Sequence, residues 1–585
     1  MRGLFFPVLS VYNRFKARTR ILGYIAASRL VSMGTVLYEM ATGTMPFQGD
    51  TWAAVFDEIF HKSPVPPSRL NPELPGELDG IIGKSLEKDR RLHYQSATEL
   101  RADLQRLKRD RDSGQTAASA EAGTARIRSL AVLPFANLSA DKENEYFSDG
   151  LAEEIINALA QLPGLRVTAR TSSFSFRGKE ADVREIGARL HVENILEGSV
   201  RRAGGRIRVT AQLVSTADGY HLWSERYDRD MSDVFAVQDE IARAIADRLR
   251  VRLAYDQPLV KRYTQNLEAF NLCLKARHHF SKLSQEGREK ALQDCERAIV
   301  LDPAYALPHV VMAECLWGST YLGFVNPRES LPKAKSAALN AIRLDDTIAE
   351  AHGALGLVLG TCEFDWSAAE REFRRALDLN PASALVRGNY AFYFLRALGR
   401  LEEALTEMRR ALDLSPLDPL FSSYLGYLFH VVRQFERAIE QYHLVMELAP
   451  YFYLPHCLLS ATYVQVGRLD EAAAAAEKAN ALSGRHSMTL GGLGRVYALA
   501  GRTAEARRLL EELHSRRRAG YVPPSFLAYV YRGLRELDRG MEWMARGVEE
   551  RDLNIVVTLK TEPGYDDLRS HPAFLALLGQ MNLQG

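Results

Sequence analysis

The sequence predicts a multidomain protein in three parts: a helical N-terminal segment, a small mixed α/β domain, and an all-α superhelix of stacked helical hairpins. Three observations carry that reading. Between Gly399 and Arg507 one phrase returns four times, as Gly399-Arg400-Leu401-Glu402-Glu403-Ala404, Arg433-Gln434-Phe435-Glu436-Arg437-Ala438, Gly467-Arg468-Leu469-Asp470-Glu471-Ala472 and Gly501-Arg502-Thr503-Ala504-Glu505-Ala506. Its alanines stand 34 residues apart, the period of helical hairpins that bury their apolar faces only against their neighbours. Around Gly204-Gly205, Ile207, Val209, Ala211 and Leu213 alternate with Arg206, Arg208, Thr210 and Gln212, the pattern of a hairpin strand with one buried face. Finally, 585 residues are too many for one core.

The totals bound the function classes. A hydrophobic content of 46% and a charged content of 25% are ordinary for a globular protein. A formal charge of +2 argues against a dedicated nucleic-acid binder, which would carry a strongly basic face. Cys273, Cys295, Cys315, Cys362 and Cys457 form no CxxC pair, so reduced thiols in a cytoplasmic protein are expected, without disulfide or zinc site. No run approaches the roughly 18 apolar residues of a membrane span. The patch Leu4 to Val11 is broken by Pro7 and Ser10 and is followed by its basic residues, which makes a poor signal peptide.

Residues 1–30 show neither a clear period nor caps. From Val31 to Met40 an apolar helix runs up to Thr42-Gly43, and Thr51 to Phe60 places Trp52, Val55, Phe56, Ile59 and Phe60 on one side. Prolines 64, 66, 67, 72 and 75 space out a loop, and helices are expected over 78–86 and 97–107. Ser32-Met33-Gly34, Leu37-Tyr38-Glu39-Met40, Thr42-Gly43 with Pro46-Phe47, and Leu86-Glu87-Lys88-Asp89 through Tyr94-Gln95-Ser96 resemble the C-terminal lobe of a bacterial serine/threonine protein kinase over residues 31–108. The resemblance covers only the last third or so of such a domain. Phosphoryl transfer needs a glycine-rich loop, a phosphate-binding lysine, an HRD-type catalytic aspartate and a DFG-type magnesium ligand. None occurs; Asp79-Gly80, Asp149-Gly150 and Asp218-Gly219 lack the phenylalanine. The family's aspartate before the Ser-x-Gly helix falls at Arg29, and its late arginine falls at His93 with no APE motif upstream. The fragment is therefore expected to be catalytically dead, either the remnant of a truncated gene or a pseudokinase fragment kept as a docking module.

Residues 109–126 are rich in Asp, Ser, Ala, Gly and Thr without apolar period and read as a linker. In the α/β domain, 127–255, strands are expected at 129–135 and 165–169. Further expected elements are the hairpin 194–202/206–214, a strand at 220–227, and helices at 151–162, 183–190 and 234–253. Ser148-Asp149 are expected to cap the first of those helices. Leu130-Ala131-Val132-Leu133-Pro134-Phe135, Tyr146-Phe147-Ser148-Asp149-Gly150, Leu196-Glu197-Gly198-Ser199-Val200 and Leu222-Trp223-Ser224-Glu225-Arg226-Tyr227 resemble the TolB N-terminal-like (FlgO/CsgG-like) domain, a family that implies no established reaction. Asn137, Asp141, Asp149, Arg170 and Ser172, with Ser139 and Ser173, sit at strand ends and helix starts, where α/β folds bind ligands, and form a candidate ligand pocket. Turn and capping chemistry is the competing explanation for them. Arg201, Arg202, Arg206 and Arg208 are read as a solvated strand face in preference to a nucleic-acid surface.

Over residues 265–585 the marker recurs at Ala291, Ala334 and Ala369 before the four alanines and ends at a degenerate Gly540, giving seven clear repeats and one weak one. Small residues at 298, 341, 376, 411 and 479 and prolines at 303, 381, 416 and 450 keep register. The array resembles a tetratricopeptide repeat (TPR) solenoid, which implies a concave groove for a protein or peptide partner. Carried over by position, that groove comprises Asn389, Tyr393, Arg396, Tyr427, His430 and Arg495, with the arginines suited to acidic groups and the tyrosines to apolar bodies with polar tips. His278, His279 and His430 lack a second ligand at metal spacing, so neither metal nor cofactor is expected. The leading expectation is a non-catalytic cytoplasmic scaffold in bacterial signalling. The alternatives are a regulatory or truncated form of a serine/threonine kinase that pairs with a complete kinase, and a small-molecule sensor using the α/β domain.

Overall fold

The computed structural model describes residues 29–47, 58, 64–71, 76–86, 100 and 103 of the first unit, and 128–584 of the second except 140, 142–143, 163, 180, 250, 252–258 and 283. The two compact units are residues 1–125 and 126–585. In the first, α1 (Arg29–Thr42), α2 (Pro67–Leu70) and α3 (Gly76–Ser85) are helical. Gly43, at φ +73°, closes α1 by donating its N–H to Glu39 O at 2.8 Å, the left-handed cap that glycine adopts without strain. Tyr38 is buried with Ile82 and Leu86, and its hydroxyl donates to Val65 O at 2.8 Å. At Gly34 a Cβ would stand 2.7 Å from Ser85 Cβ, so α1 and α3 meet where no side chain fits. The expected helices at 51–60 and 97–107, apart from isolated positions, the kinase-like stretch 87–96 and the linker 109–126 lie outside the described residues.

The second unit opens with a six-stranded sheet of order β3-β1-β4-β5-β6, with β2 beside β4. Its strands are β1 (Arg128–Val132), β2 (Ala136–Asn137), β3 (Leu165–Val167), β4 (Asn194–Ala203), β5 (Arg206–Ser215) and β6 (His221–Asp230). β1 pairs in parallel with β3 and β4, while β4, β5 and β6 run antiparallel. Helices α4 (Glu145–Ala160) and α7 (Val234–Arg248) cover one face, where Leu130, Val132, Ile207, Val209, Ala211 and Leu213 point. On the other face, α6 (Val183–Leu190) packs with Phe176 on Ala131 and Ile195; α5 (Arg170–Phe174) follows β3. Two expectations are corrected here. The helix expected from 151 begins at Glu145, so Ser148 and Asp149 are buried inside it and do not cap it; Asp149 instead receives Arg177. The last helix stops at Arg248, five residues before the expected end.

Eight helical hairpins follow: α8/α9 (Leu267–Phe280, Gln285–Leu301), α10/α11 (Leu307–Tyr321, Pro327–Leu344), α12/α13 (Ala349–Glu363, Trp366–Leu379), and α14/α15 (Ala384–Asn389, Leu401–Leu414). Then come α16/α17 (Pro419–Val431, Phe435–Leu448), α18/α19 (Leu454–Gln465, Leu469–Leu482), α20/α21 (Ser487–Leu499, Thr503–Ala519) and α22/α23 (Pro524–Gly533, Leu537–Glu550). Every marker alanine from Ala291 to Ala506 has 0% exposure, as a small residue on the buried face of the second helix of each hairpin allows close packing. The glycine that opens the repeated phrase has a backbone reason: Gly399, Gly467 and Gly501 sit at φ +77 to +78°, and Arg433 and Arg535 take the same left-handed turn at +62°.

The array closes on itself. At Gly323, in the second hairpin, a Cβ would stand 2.6 Å from Pro523 at the start of the eighth, and the Phe324 ring lies 5.1 Å from His486 before the seventh. The repeats end at Glu550 and not at 585. The tail forms α24 (Leu553–Thr558), a 3-10 turn (Pro563–Leu568) and α25 (Pro572–Gln580), and it returns across the inner helices.

Candidate functional site

The inner surface is built by the first helix of each hairpin, and the tail lies against it. Asp552 caps α24 through Asn554 N–H at 3.0 Å and also accepts from Ser525 N–H at 2.8 Å in the eighth hairpin. Asn554 Nδ2 donates to Tyr321 O at 3.0 Å in the second. Further along, Arg433 pairs with Asp566 and Arg532 with Asp567, each at 2.7 Å. At the chain's end Trp366 Nε1 donates to Met581 O at 2.8 Å. The tail thus ties the second, third, fifth and eighth hairpins together.

At the middle of this strap is Glu562. Its carboxylate accepts the Tyr427 hydroxyl, lies 3.2 Å from His430 Nε2, and turns back to Gly564 N–H at 3.3 Å. His430 Nδ1 meets Thr462 Oγ1 at 2.9 Å, while that hydroxyl donates to Leu458 O, so both ring nitrogens face acceptors. Burial pushes the Glu562 carboxyl up, but His430, Tyr427 and Arg495 outweigh it and hold it at about 2. A carboxylate in this position is charged, fully partnered and deep inside the array.

The sequence-derived groove residues do come together, but not as an open groove. Tyr393, Arg396, Tyr427 and His430 are buried at 5%, 1%, 7% and 0% exposure; Asn389 and Arg495 are half-buried. Arg396 stacks on Phe392 at 3.9 Å and on Tyr427 at 4.9 Å and donates from Nε to Phe392 O. Tyr393 and Tyr424 share a hydroxyl–hydroxyl hydrogen bond. At Gly564 a Cβ would be 2.9 Å from Arg495 Nη2, so the tail backbone passes directly over that arginine. The groove expected for a protein or peptide partner is lined here by the chain's own tail, which begins where the 34-residue register is lost after Gly540.

The candidate pocket residues of the α/β domain are not brought together. Asn137 and Asp141 form a local turn, with Asn137 Nδ2 donating to Asp141 O at 3.1 Å and Ser139 N–H donating back at 2.9 Å. Asp149, Arg170 and Ser172 lie instead in the joint with the repeats. Burial raises the Asp149 carboxyl, and His278 and Arg177 more than reverse it. Arg170 pairs with Glu153 at 3.1 Å, and Glu154 meets Arg277 of α8 at 3.0 Å. Ser172 Oγ bonds Ser415 Oγ at 3.0 Å and accepts Leu417 N–H at 2.8 Å, beside the Ala169 N–H to Leu414 O bond of 2.8 Å. In the hairpin, Arg206 and Arg208 both pair with Asp228 across the strand. Among the described residues no group of three His, Cys, Asp or Glu is arranged to hold a metal, all five cysteines are free, and no helix is long and apolar enough to cross a membrane.

Residues 125–244 match the family of the HilA/YgeH-like transcriptional regulator, second domain, and residues 487–512, at the seventh hairpin, match the tetratricopeptide repeat. The protein named "Putative adenylate cyclase 3" of Rhizobium meliloti is 38% identical over 238 residues, 40% of each chain. Transcriptional regulator HilA of Salmonella paratyphi A is 25% identical over 280 residues, 47% of this chain and 49% of its own. Serine/threonine-protein kinase PknB of Mycolicibacterium smegmatis is 45% identical over 82 residues, 14% of this chain and 13% of its own. The chain therefore spans less than half the length of each of these relatives. Among solved structures, YrrB, a TPR protein with an unusual peptide-binding site, is 21% identical over 34% of this chain and 95% of that one, at a TM-score of 0.24. Sequence and fold together make this a TPR-containing chain with a small mixed-sheet domain and a short stretch similar to serine/threonine kinases.

Proposed function

We propose that the protein is a non-catalytic interaction module whose inner TPR surface binds an acidic segment of a protein partner, and that its own tail occupies that surface until the partner displaces it. The observation that carries this is Glu562, which is held by Tyr427 and His430 beside Arg495. Carboxylate recognition by charged and hydroxyl donors in a desolvated site is strong, and a tail tethered in cis meets its site at an effective concentration near millimolar. A partner must therefore present a similar acidic group with further contacts of its own.

The finer reading places this module in bacterial signalling. Its relatives are named for three outputs: a cyclase, a transcriptional regulator and a kinase. Partial coverage of each supports a shared regulatory part over any one effector. On this reading the kinase-like stretch at 31–108 carries no phosphotransfer, since the sequence holds no glycine-rich loop, HRD or DFG motif. The test is a fluorescent peptide copying residues 558–570, titrated into the full chain and its Glu562→Gln variant. We expect binding at least about tenfold tighter to the variant, where the tail competes less well. Equal affinities, or no binding to either, would refute the proposal.

A further inference from the structure

Arg288 lies at a position that the other repeats fill with a different kind of residue. Three residues before each marker stand Leu331, Trp366, Leu401, Phe435, Leu469 and Leu537, with a threonine in the seventh hairpin; only the first hairpin places a charge there. The side chain is 5% exposed, and its Nε and Nη1 have no hydrogen-bond partner. It runs beside the Phe280 ring at 5.0 Å and past Gly318, where a Cβ would come within 2.6 Å of Nη1. The missing side chain at Gly318 is what lets the guanidinium through toward the enclosed interior. Burial weighs most on its charge and lowers its basicity, and the leading groups that oppose this are Cys315, Tyr453, Tyr393 and Tyr424. A buried guanidinium without a counter-charge is destabilising, and an unpartnered buried group of this kind can mark the place of a bound ion.

A second cation faces the same hydroxyls. Arg396 is 1% exposed, its Nη2 has no partner, and it acts on Tyr321, Tyr393 and Tyr424. Its position depends on a backbone irregularity. The first helix of the fourth hairpin is π-helical over Tyr390–Leu395, and Arg396 N–H reaches Ala391 O, five residues back, at 3.2 Å. Single π turns of this kind are frequent at functional sites because they re-aim side chains. Tyr321 and Tyr453 are half-buried, and with Tyr393 and Tyr424 they line the same interior.

We propose that this interior binds the phosphate group of free phosphate or of a small phosphomonoester, with Arg288 and Arg396 as its charged ligands and the hydroxyls of Tyr321, Tyr393, Tyr424 and Tyr453 around it. Two guanidinium groups with unpartnered nitrogens suit a dianion better than a single carboxylate, and those nitrogens together with tyrosine hydroxyls can supply the donors an oxyanion requires. The site adjoins the Glu562 contact, since Arg396 stacks on Tyr427, but it has its own charged ligand in Arg288.

Isothermal titration of the full chain with inorganic phosphate, and separately with phosphoserine, at matched ionic strength in chloride tests this. Saturable binding to one or both is expected, and the arm that binds more tightly identifies the source as free ion or phosphomonoester. Arg288→Gln should weaken it at least about tenfold, and Arg288→Lys less, with folding of both checked by circular dichroism. Absence of heat with both probes in the wild-type protein would overturn the proposal whatever the variants do. So would phosphate binding that survives intact in a folded Arg288→Gln chain.

Discussion

Glu314 lies on α10 near Glu350, Arg277 and Glu153, and burial first, and then the two glutamates against Arg277, push its carboxyl up to about 8. The folded chain therefore holds a proton there that the unfolded chain has lost by pH 5, and stability from this group falls as pH rises from about 4.5 to 8. Glu314→Gln is expected to stabilise the chain by about 2 kcal/mol at pH 8 and by almost nothing at pH 4, as urea denaturation at the two values would show. At Gly467, φ is +77° and nothing lies within 4 Å of a Cβ, so Gly467→Ala isolates the backbone term. The expected loss is about 1 kcal/mol, read from the same curves. At this scale the sequence was legible where a residue repeats. The tyrosines and arginines of the inner helices were found by register, whereas Glu562 and Arg288 were not, because each departs from the repeat that made the others visible.

Between elements, the joint of α5 with the loop after α15 rests on Ser172, Ser415 and Leu417 across 243 to 245 residues of sequence. A hydrogen bond of this kind contributes about 1 kcal/mol net. Ser172→Ala and Ser415→Ala should therefore couple by roughly that amount in a double-mutant cycle, while additive losses would show that the two serines act independently. The strands and helices of the α/β domain were readable from alternation and turn residues, as at Gly204-Gly205. The start of α4 was not, since Ser148-Asp149 has the chemistry of a cap, whereas here both are buried and Asp149 meets Arg177 and His278. The candidate pocket likewise dissolved into a turn and a joint, because the partners of Asp149, Arg170 and Ser172 come largely from elements whose approach no local pattern encodes.

For the whole molecule, a periodic array gives its number of hairpins to the reader of a sequence but conceals its closure. Contacts such as Gly323 with Pro523 and Trp366 with Met581 depend on how small rotations accumulate over eight hairpins. That accumulation turns a groove into an enclosed interior and makes the tail a ligand of its own chain. Hydrogen exchange of the full chain, with and without the peptide copying residues 558–570, tests this most directly. The account predicts that the peptide accelerates exchange across 553–568 while the inner helices around Tyr427 and His430 stay protected. Peptide binding that leaves exchange across 553–568 unchanged would contradict it.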